Sequence, residues 1–324
     1  MKKSLAIIGA GAWGSALAIA LSDKFNRIFL ITKNKENTDR LGNQHEALSK
    51  PFNSIVSISS SFEVIENSQS VLIATPSSSF NSVLKKLKPH IKNKPVAWVT
   101  KGLNPDNGKL LHESFSQNFP AHHPCVISGP TFAAEIVEKK PAAIVVASKD
   151  KMTRNFWAET IQTSNLRAYT NSDIIGVQVG GSVKNILAIA AGIANGLGFG
   201  ANTQAALITR GLAEMTRFGV ALGADKATFQ GLSGMGDLVL TCSDDLSRNR
   251  RFGKELANNI STDKALKNIN ATVEGFKALK LVIMIANNHQ IEMPICEQVL
   301  AVTEGRTTPR DAVNELLLRK PSAE

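Results

Sequence analysis

The chain has 324 residues, with 37 Lys+Arg against 27 Asp+Glu, for a formal net charge of +10. At roughly 150 residues per domain, that is length for about two domains, each able to bury a core. Hydrophobic residues make up 43% and charged residues 20%, which excludes a disordered chain. Three widely spaced cysteines, Cys125, Cys242 and Cys296, exclude a disulfide framework and a Cys-only zinc site, and they fit reduced thiols in the cytoplasm.

The positive charge is scattered, and only Arg248, Arg250, Arg251 and Lys254 form a tight group. Aromatics are 6%, too sparse for the stacking surfaces of a nucleic-acid protein, so the cluster points to an anionic small molecule. Uninterrupted apolar runs such as Ile186–Ala191 fall short of the ~18 residues of a membrane span. Met1-Lys2-Lys3 followed by Leu5 to Leu21 imitates a signal peptide, but Gly9, Gly11, Trp13 and Gly14 interrupt its apolar stretch.

In chain order, the pattern predicts strands at 4–9, 27–32, 70–75, 96–100, 124–128, 142–147 and 166–170. The first, third and sixth are near-continuous apolar runs, as strands covered on both faces require. Between them lie predicted helices at 12–24, 80–87, 132–138 and 153–163, with a capping box at Ser60 and Glu63 starting another. This alternation predicts an α/β, doubly wound, mostly parallel sheet of Rossmann-like type over 1–172. After Asp173 the predicted elements are helices at 174–194, 204–222, 273–287 and 295–303. The second domain, 173–324, is therefore expected to be all-helical, and its tail 319–324 to fray.

Gly9-Ala10-Gly11-Ala12-Trp13-Gly14 follows the first strand and opens the first helix, the context that makes G-x-G-x-x-G a dinucleotide signal. Gly9 permits the tight turn, Gly11 lets backbone approach a pyrophosphate, and Gly14 brings helix close to sheet. The second strand ends Ile31-Thr32-Lys33-Asn34-Lys35, with no acid before Glu36. An NAD site usually places a carboxylate there. Lys33 and Lys35 either attract a 2′-phosphate or are solvated loop charges, and the reading leans to NADPH over NADH.

Ligands of open α/β sheets lie beyond the carboxyl ends of the strands, which selects 75–77, 100–102 and 128–131. Lys101 is a lone cation there, directly after an apolar strand. Lys184 lies in Val179-Gly-Gly-Ser-Val-Lys-Asn-Ile-Leu187, where an ammonium among apolar neighbours is costly unless paired or needed. Desolvation and a second cation such as Lys101 are expected to ease its proton exchange near neutral pH. A third constellation runs from Gly234-Met-Gly-Asp237 to Ser247-Arg-Asn-Arg-Arg251, where Arg248 offers a forked donor to a phosphate. Arg250 and Arg251 are equally open to a structural or oligomer-contact role. The six histidines show no ligand spacing, so no metal is implied.

Together these segments resemble the bacterial NAD(P)-dependent glycerol-3-phosphate dehydrogenases along nearly the whole chain. The matching stretches are 9–14, 100–102, 128–133 (Ser-Gly-Pro-Thr-Phe-Ala), 176–185, Thr209-Arg-Gly-Leu-Ala-Glu214, 234–238 and 247–253. The resemblance implies hydride exchange between NAD(P)H and dihydroxyacetone phosphate, giving sn-glycerol 3-phosphate for phospholipid synthesis. It implies Lys184 as proton donor and acceptor, and Lys101 as a residue touching both cofactor and substrate. Gly129, Thr131, Asp237, Ser247, Arg248 and Asn249 match substrate positions, Arg248 also lying near the cofactor. Ala12, Trp13, Lys33, Ala133, Thr272 and Glu274 match cofactor positions. Met235 and Thr272 depart from the usual Leu and Val. A dehydrogenase of 3-hydroxy acids with the same two-domain plan also wants a cation for its carboxylate, and a substrate panel separates the two. No nucleic acid and no integral membrane segment are implied, and Gly-rich helical surfaces leave room for a homodimer.

Overall fold

The structure is a computed structural model that describes residues 3–318; the predicted frayed tail 319–324 lies outside them. It divides into two compact units, 1–178 and 179–324.

The first unit follows the order β1 (Ser4–Ile8), α1 (Ala12–Ala20), β2 (Arg27–Ile31), α2 (Lys35–Leu41), β3 (Val56–Ser59), β4 (Ser70–Ile73) and α3 (Ser77–Ile91). It continues with β5 (Val96–Trp98), α4 (Leu111–Asn118), β6 (Val126–Ser128), α5 (Ala133–Val137), β7 (Ala142–Ala147), α6 (Lys151–Ile161) and β8 (Leu166–Asn171). The eight strands form one sheet in the order β3-β2-β1-β4-β5-β6-β7-β8. Every pairing is parallel except β6 with β7, where Ile127 faces Val146. The run 3-2-1-4-5-6 is the order of a dinucleotide-binding sheet, which reverses direction between β1 and β4.

Apolar continuity explains why β1 and β4 lie at the centre. Both are buried along their whole length, because helices cover both faces of a parallel sheet. On one face Leu5, Ile7, Leu30 and Leu72 pack with Leu17 of α1 and Trp157 of α6. Phe80, Trp98, Phe115 and Phe119 form a chain of ring contacts, with centroids 5.1 to 5.6 Å apart.

Differences from the predicted elements fall where patterning is weak. β3, Val-Ser-Ile-Ser, went unpredicted because it is a four-residue edge strand with no fully buried residue. α2, likewise unpredicted, buries nothing; the Asn34 side chain accepts from the Asn37 N–H and starts it. The capping residue expected at Ser60 is Ser61, whose hydroxyl accepts from the Glu63 N–H at 3.1 Å, and the helix it starts is a 3₁₀ turn (Phe62–Asn67). The predicted helix 12–24 is α1 followed by a separate 3₁₀ turn at Ser22–Lys24.

The second unit holds most of α7 (Ile174–Gly196), then α8 (Ala201–Ala221), a 3₁₀ turn (Lys226–Gln230), a π-turn (Leu232–Gly236) and α9 (Asp237–Ser243). α10 (Arg248–Ala257), α11 (Thr262–Ile269), α12 (Glu274–Asn288), α13 (Pro294–Thr303) and α14 (Pro309–Leu317) complete it. Among the described residues after β8 there is no strand. α7 is long and apolar enough to cross a membrane, yet 94% of its most apolar stretch is buried inside the fold, which makes it the core helix of the unit. Glycines let α10 lie against it: a Cβ on Gly192 would meet the Arg250 carbonyl, and one on Gly253 the Ile189 carbonyl, each at 2.0 Å.

Candidate active site

The glycine turn is shaped by close backbone approach. Gly9 has φ +112°, and a Cβ there would lie 2.7 Å from the Ala74 carbonyl oxygen. A Cβ on Gly14 would lie 1.9 Å from the Gly9 carbonyl. Gly11 differs: nothing stands within 4 Å of where its Cβ would be. It is the N-cap of α1, with no side-chain cap and no acid in the first turn. The first N–H groups of the helix therefore point, uncapped, into space that a side chain would fill, which suits a pyrophosphate. Beside this turn, Trp13 and Ala133 pack on the same small apolar cluster of Ala16, Leu48 and Val137.

At the strand ends, two further orphans point the same way. Thr75 Oγ1 after β4 and Ser128 Oγ at the end of β6 are buried with no hydrogen-bond partner. Buried polar atoms in that condition call for an explanation, and a bound polar group is one. The residues present thus fit a dinucleotide. Lys101 Nζ stands 3.5 Å from the Gly129 carbonyl oxygen, and Thr131 Oγ1 donates to the same oxygen at 3.4 Å. Three predicted ligand residues are thereby brought to one carbonyl. Lys33 and Lys35 are exposed just beyond β2.

The helical unit holds the second constellation. Lys184 is 6% exposed and Asp237 1%. The Lys184 ammonium donates to the Asp237 carboxylate and to Thr241 Oγ1 at 2.8 Å, while Thr241 donates to the Asp237 carbonyl at 2.6 Å. Pairing on this scale is what a buried ammonium requires. The sequence reading placed Asp237 with the substrate and gave Lys184 a second cation for a neighbour; the contact found is a carboxylate. Backbone packing sets the pair up. A Cβ on Gly180, one turn before Lys184, would sit 2.3 Å from the Ser233 carbonyl, so only glycine lets the π-turn pass close enough to bring Asp237 to Lys184.

A polar chain runs alongside. Asn249 Nδ2 donates to Asn185 Oδ1 at 2.9 Å, and Asn249 Oδ1 accepts from the Gly275 N–H at 2.9 Å. Asn185 Nδ2 stands 3.4 Å from Glu274 Oε2. Asn249 therefore ties α10 to α7 and to the start of α12, and Glu274 joins it there; Thr272 lies just before α12, half-buried. Ser247 caps α10 by accepting from the Arg250 N–H. Arg248 is exposed on the first turn. Arg250 is buried and paired with Asp245, which also binds Lys254 at 2.9 Å, so its role is structural. Burial pushes the Cys242 thiol up to about 12, which leaves it protonated beside Thr241.

Thr241 and Asn185 escaped the residue-by-residue reading. The signal for Thr241 was available: it follows Asp237 by four residues, one helical turn.

The chain matches two family models, the N-terminal part of NAD-dependent glycerol-3-phosphate dehydrogenase over residues 4–154 and its C-terminal part over 173–314. The chain belongs to the NAD-dependent glycerol-3-phosphate dehydrogenase family. Relatives named glycerol-3-phosphate dehydrogenase [NAD(P)+] include one from Ruthia magnifica subsp. Calyptogena magnifica, 57% identical over 100% of both chains. Another, from Vesicomyosocius okutanii subsp. Calyptogena okutanii, is 56% identical over 99% of this chain and 98% of the relative. A crystal structure of glycerol-3-phosphate dehydrogenase from Coxiella burnetii, 39% identical, superposes with a TM-score of 0.94 over 98% of this chain and 99% of that one. Dependence on NAD(P) goes with this family.

Proposed function

We propose that this chain reduces dihydroxyacetone phosphate to sn-glycerol 3-phosphate, with NADPH as the preferred donor and Lys184 as the proton source. Family membership over the full length supports the reaction, and the buried Lys184–Asp237–Thr241 cluster carries the assignment of the proton. The product feeds glycerophospholipid synthesis, and three unpaired, buried thiols support a cytoplasmic setting.

When bound, the nicotinamide supplies the hydride to the substrate carbonyl carbon. As the ketone oxygen gains charge, it needs a cation and a proton beside it. Lys184 meets both needs: its ammonium gives up a proton to the incipient alkoxide, while Asp237 and Thr241 keep its side chain in one orientation. In the reverse direction the same amine takes the proton back. Lys101 adds positive field on the dinucleotide-binding unit. Arg248, exposed on the first turn of α10, binds the phosphate with help from Ser247 and Asn249. Anchoring that remote group holds the carbonyl in place, so binding energy is spent on orientation. When the dinucleotide is bound, the uncapped turn at Gly11 to Gly14 would hold its pyrophosphate, Trp13 and Ala133 would lie beside it, and Lys33 would offer a cation to a 2′-phosphate.

The test follows NADPH absorbance after adding dihydroxyacetone phosphate. The wild type oxidises NADPH, whereas Lys184→Ala loses turnover and retains NADPH affinity. A near-normal kcat in that variant refutes the proton assignment. Full NADPH binding with no oxidation by the wild type refutes the reaction.

A further inference from the structure

We propose that Gln178 is a positioning residue for Lys101, and that its grip holds only while the His112 ring is neutral. The proposal rests on the reading that gives Lys101 a part in the reaction. Every residue involved belongs to the first unit, which ends at Gln178.

The grip answers a need of α4. The N-cap of that helix is Leu110, which makes no side-chain cap, so its first N–H groups need acceptors from elsewhere. Gln178, buried near the start of α7, supplies one: its Oε1 accepts from the His112 backbone N–H at 3.1 Å. Its amide nitrogen donates to His112 Nδ1 and to the Ile174 carbonyl, each at 2.9 Å. Turned over, the amide would set its NH₂ against the His112 N–H and its oxygen against the Ile174 carbonyl. Only one orientation therefore pairs these groups. His112 Nδ1 must then accept, and the neutral ring carries its proton on the other nitrogen.

The start of α4 in turn holds the loop that follows Lys101. Leu103 and Leu110 pair as an antiparallel bridge. Within it the Asn104 N–H donates to the Lys109 carbonyl at 2.9 Å, and the Gly108 N–H to the Asn104 carbonyl at 2.8 Å. Asn104 Nδ2 donates to Ser114 Oγ of α4 at 2.8 Å, and Leu103, Asn104 and Leu110 are buried. The loop and the first turn of α4 are thus tied into one piece, and Lys101, with its Nζ 3.5 Å from the Gly129 carbonyl oxygen, stands just before it in the chain.

A proton on Nδ1 breaks the grip, because two N–H groups would then face each other and the Gln178 amide cannot turn over to meet the new one. Burial holds the His112 ring below its ordinary value; Lys149, before α6, acts in the same sense, and Glu113 opposes both. Glu113 also accepts from the Leu110 N–H and pairs with Lys109. On α3, which packs on α4, Lys85, Lys86 and Lys88 are exposed and His90 pairs with Glu66. At the start of α7 the Asp173 carboxylate accepts from the Gly176 N–H. With the ring held below its ordinary value of about 6.5, the grip is complete above that pH and is lost as pH falls through the lower folded value.

A double-mutant cycle on the full chain tests the link, read in NADPH Kd by fluorescence and in kcat/KM for dihydroxyacetone phosphate. Gln178→Leu weakens both by about tenfold, as a small misplacement of a contacting group does, and has little further effect in Lys101→Ala. Additive losses overturn the proposal, since a general loss of structure is indifferent to Lys101. Nitrogen NMR of the histidines, with the His112 signal found by its loss in His112→Asn, shows Nδ1 unprotonated and a titration midpoint below about 6.5. A neutral ring protonated on Nδ1, or a midpoint at or above that value, overturns it. Gln178→Glu, which can accept from a protonated Nδ1, raises the midpoint; an unmoved midpoint counts against the grip. His112→Asn, whose Oδ1 replaces Nδ1 as acceptor and does not titrate, keeps kcat/KM at about pH 7.5 and loses less of it than the wild type by about pH 5. An unaltered pH profile in that variant overturns the role of the ring. The Kd and the spectra need no turnover, so their failure is distinct from failure of the proposed reaction.

Discussion

Replacing Gly180 with alanine tests how the helical unit builds its proton donor. The added Cβ would stand 2.3 Å from the Ser233 carbonyl oxygen and 3.5 Å from Gly234 Cα. Ordinary contact lies near 3.5 Å, so α7 and the π-turn must part by about 1 Å. Neither side can give locally, because both contacting groups are backbone in buried segments. Overpacking of this kind costs about 1–3 kcal/mol. In a unit of this size that lowers Tm by about 2–4 °C per kcal/mol. The larger effect falls on the chemistry. Asp237 follows the π-turn directly, and a displacement of about 1 Å between groups that must act together can cost on the order of 10²-fold in rate. Thermal unfolding of Gly180→Ala and its kcat with dihydroxyacetone phosphate give the answer. A variant that keeps wild-type kcat and Tm shows that the close approach does not position the pair, and the argument fails.

Other outcomes follow from single contacts. Asp237→Asn leaves the buried Lys184 ammonium without its counter-charge and should cost about 3–5 kcal/mol in urea unfolding; Lys184→Met in the same chain should recover much of it. Burial raises the Glu214 carboxyl to about 7, above its unfolded value, so the folded state binds the extra proton between those two values. Stability from this group is complete below about pH 4.5 and lost as pH rises through about 7, on the order of 3 kcal/mol. Glu214→Gln should therefore flatten that part of the stability profile, and a wild type that gains stability from pH 5 to 7.5 relative to Glu214→Gln contradicts it. Lys33→Glu with Lys35→Glu should lower kcat/KM for NADPH relative to NADH by about tenfold, consistent with two exposed charges of about 0.5–1 kcal/mol each; an unchanged ratio leaves both lysines as solvated loop charges.

Much of the fold was legible in local pattern. The apolar runs of β1, β4 and β7 announced a sheet covered on both faces, and Gly9 to Gly14 announced its first turn, because those features depend on neighbours in the chain. Elements that bury little, such as α2 and the edge strand β3, carried no such pattern. The helices α4, α9, α10, α11 and α14 were also missed; all but α4 belong to the helical unit.

For the candidate site, residue type and motif alone were enough to single out Lys184, Lys101, Asp237 and the Ser247–Asn249 stretch, since a lysine in an apolar run and a cluster of forked donors are unusual wherever they occur. What each one touches was decided only in three dimensions. Asp237 is 53 residues from Lys184, and Asn249 is 64 from Asn185; no periodicity relates positions so far apart. Their meeting depends on two backbones passing at Gly180, a contact made by the absence of a side chain. Sequence thus determined which charges are present and which strongly patterned segments are helix or strand, through short-range sterics and burial. Tertiary packing decided that the unusual lysine is neutralised by a carboxylate, because in a low-dielectric interior the nearest charge governs the energy of every other.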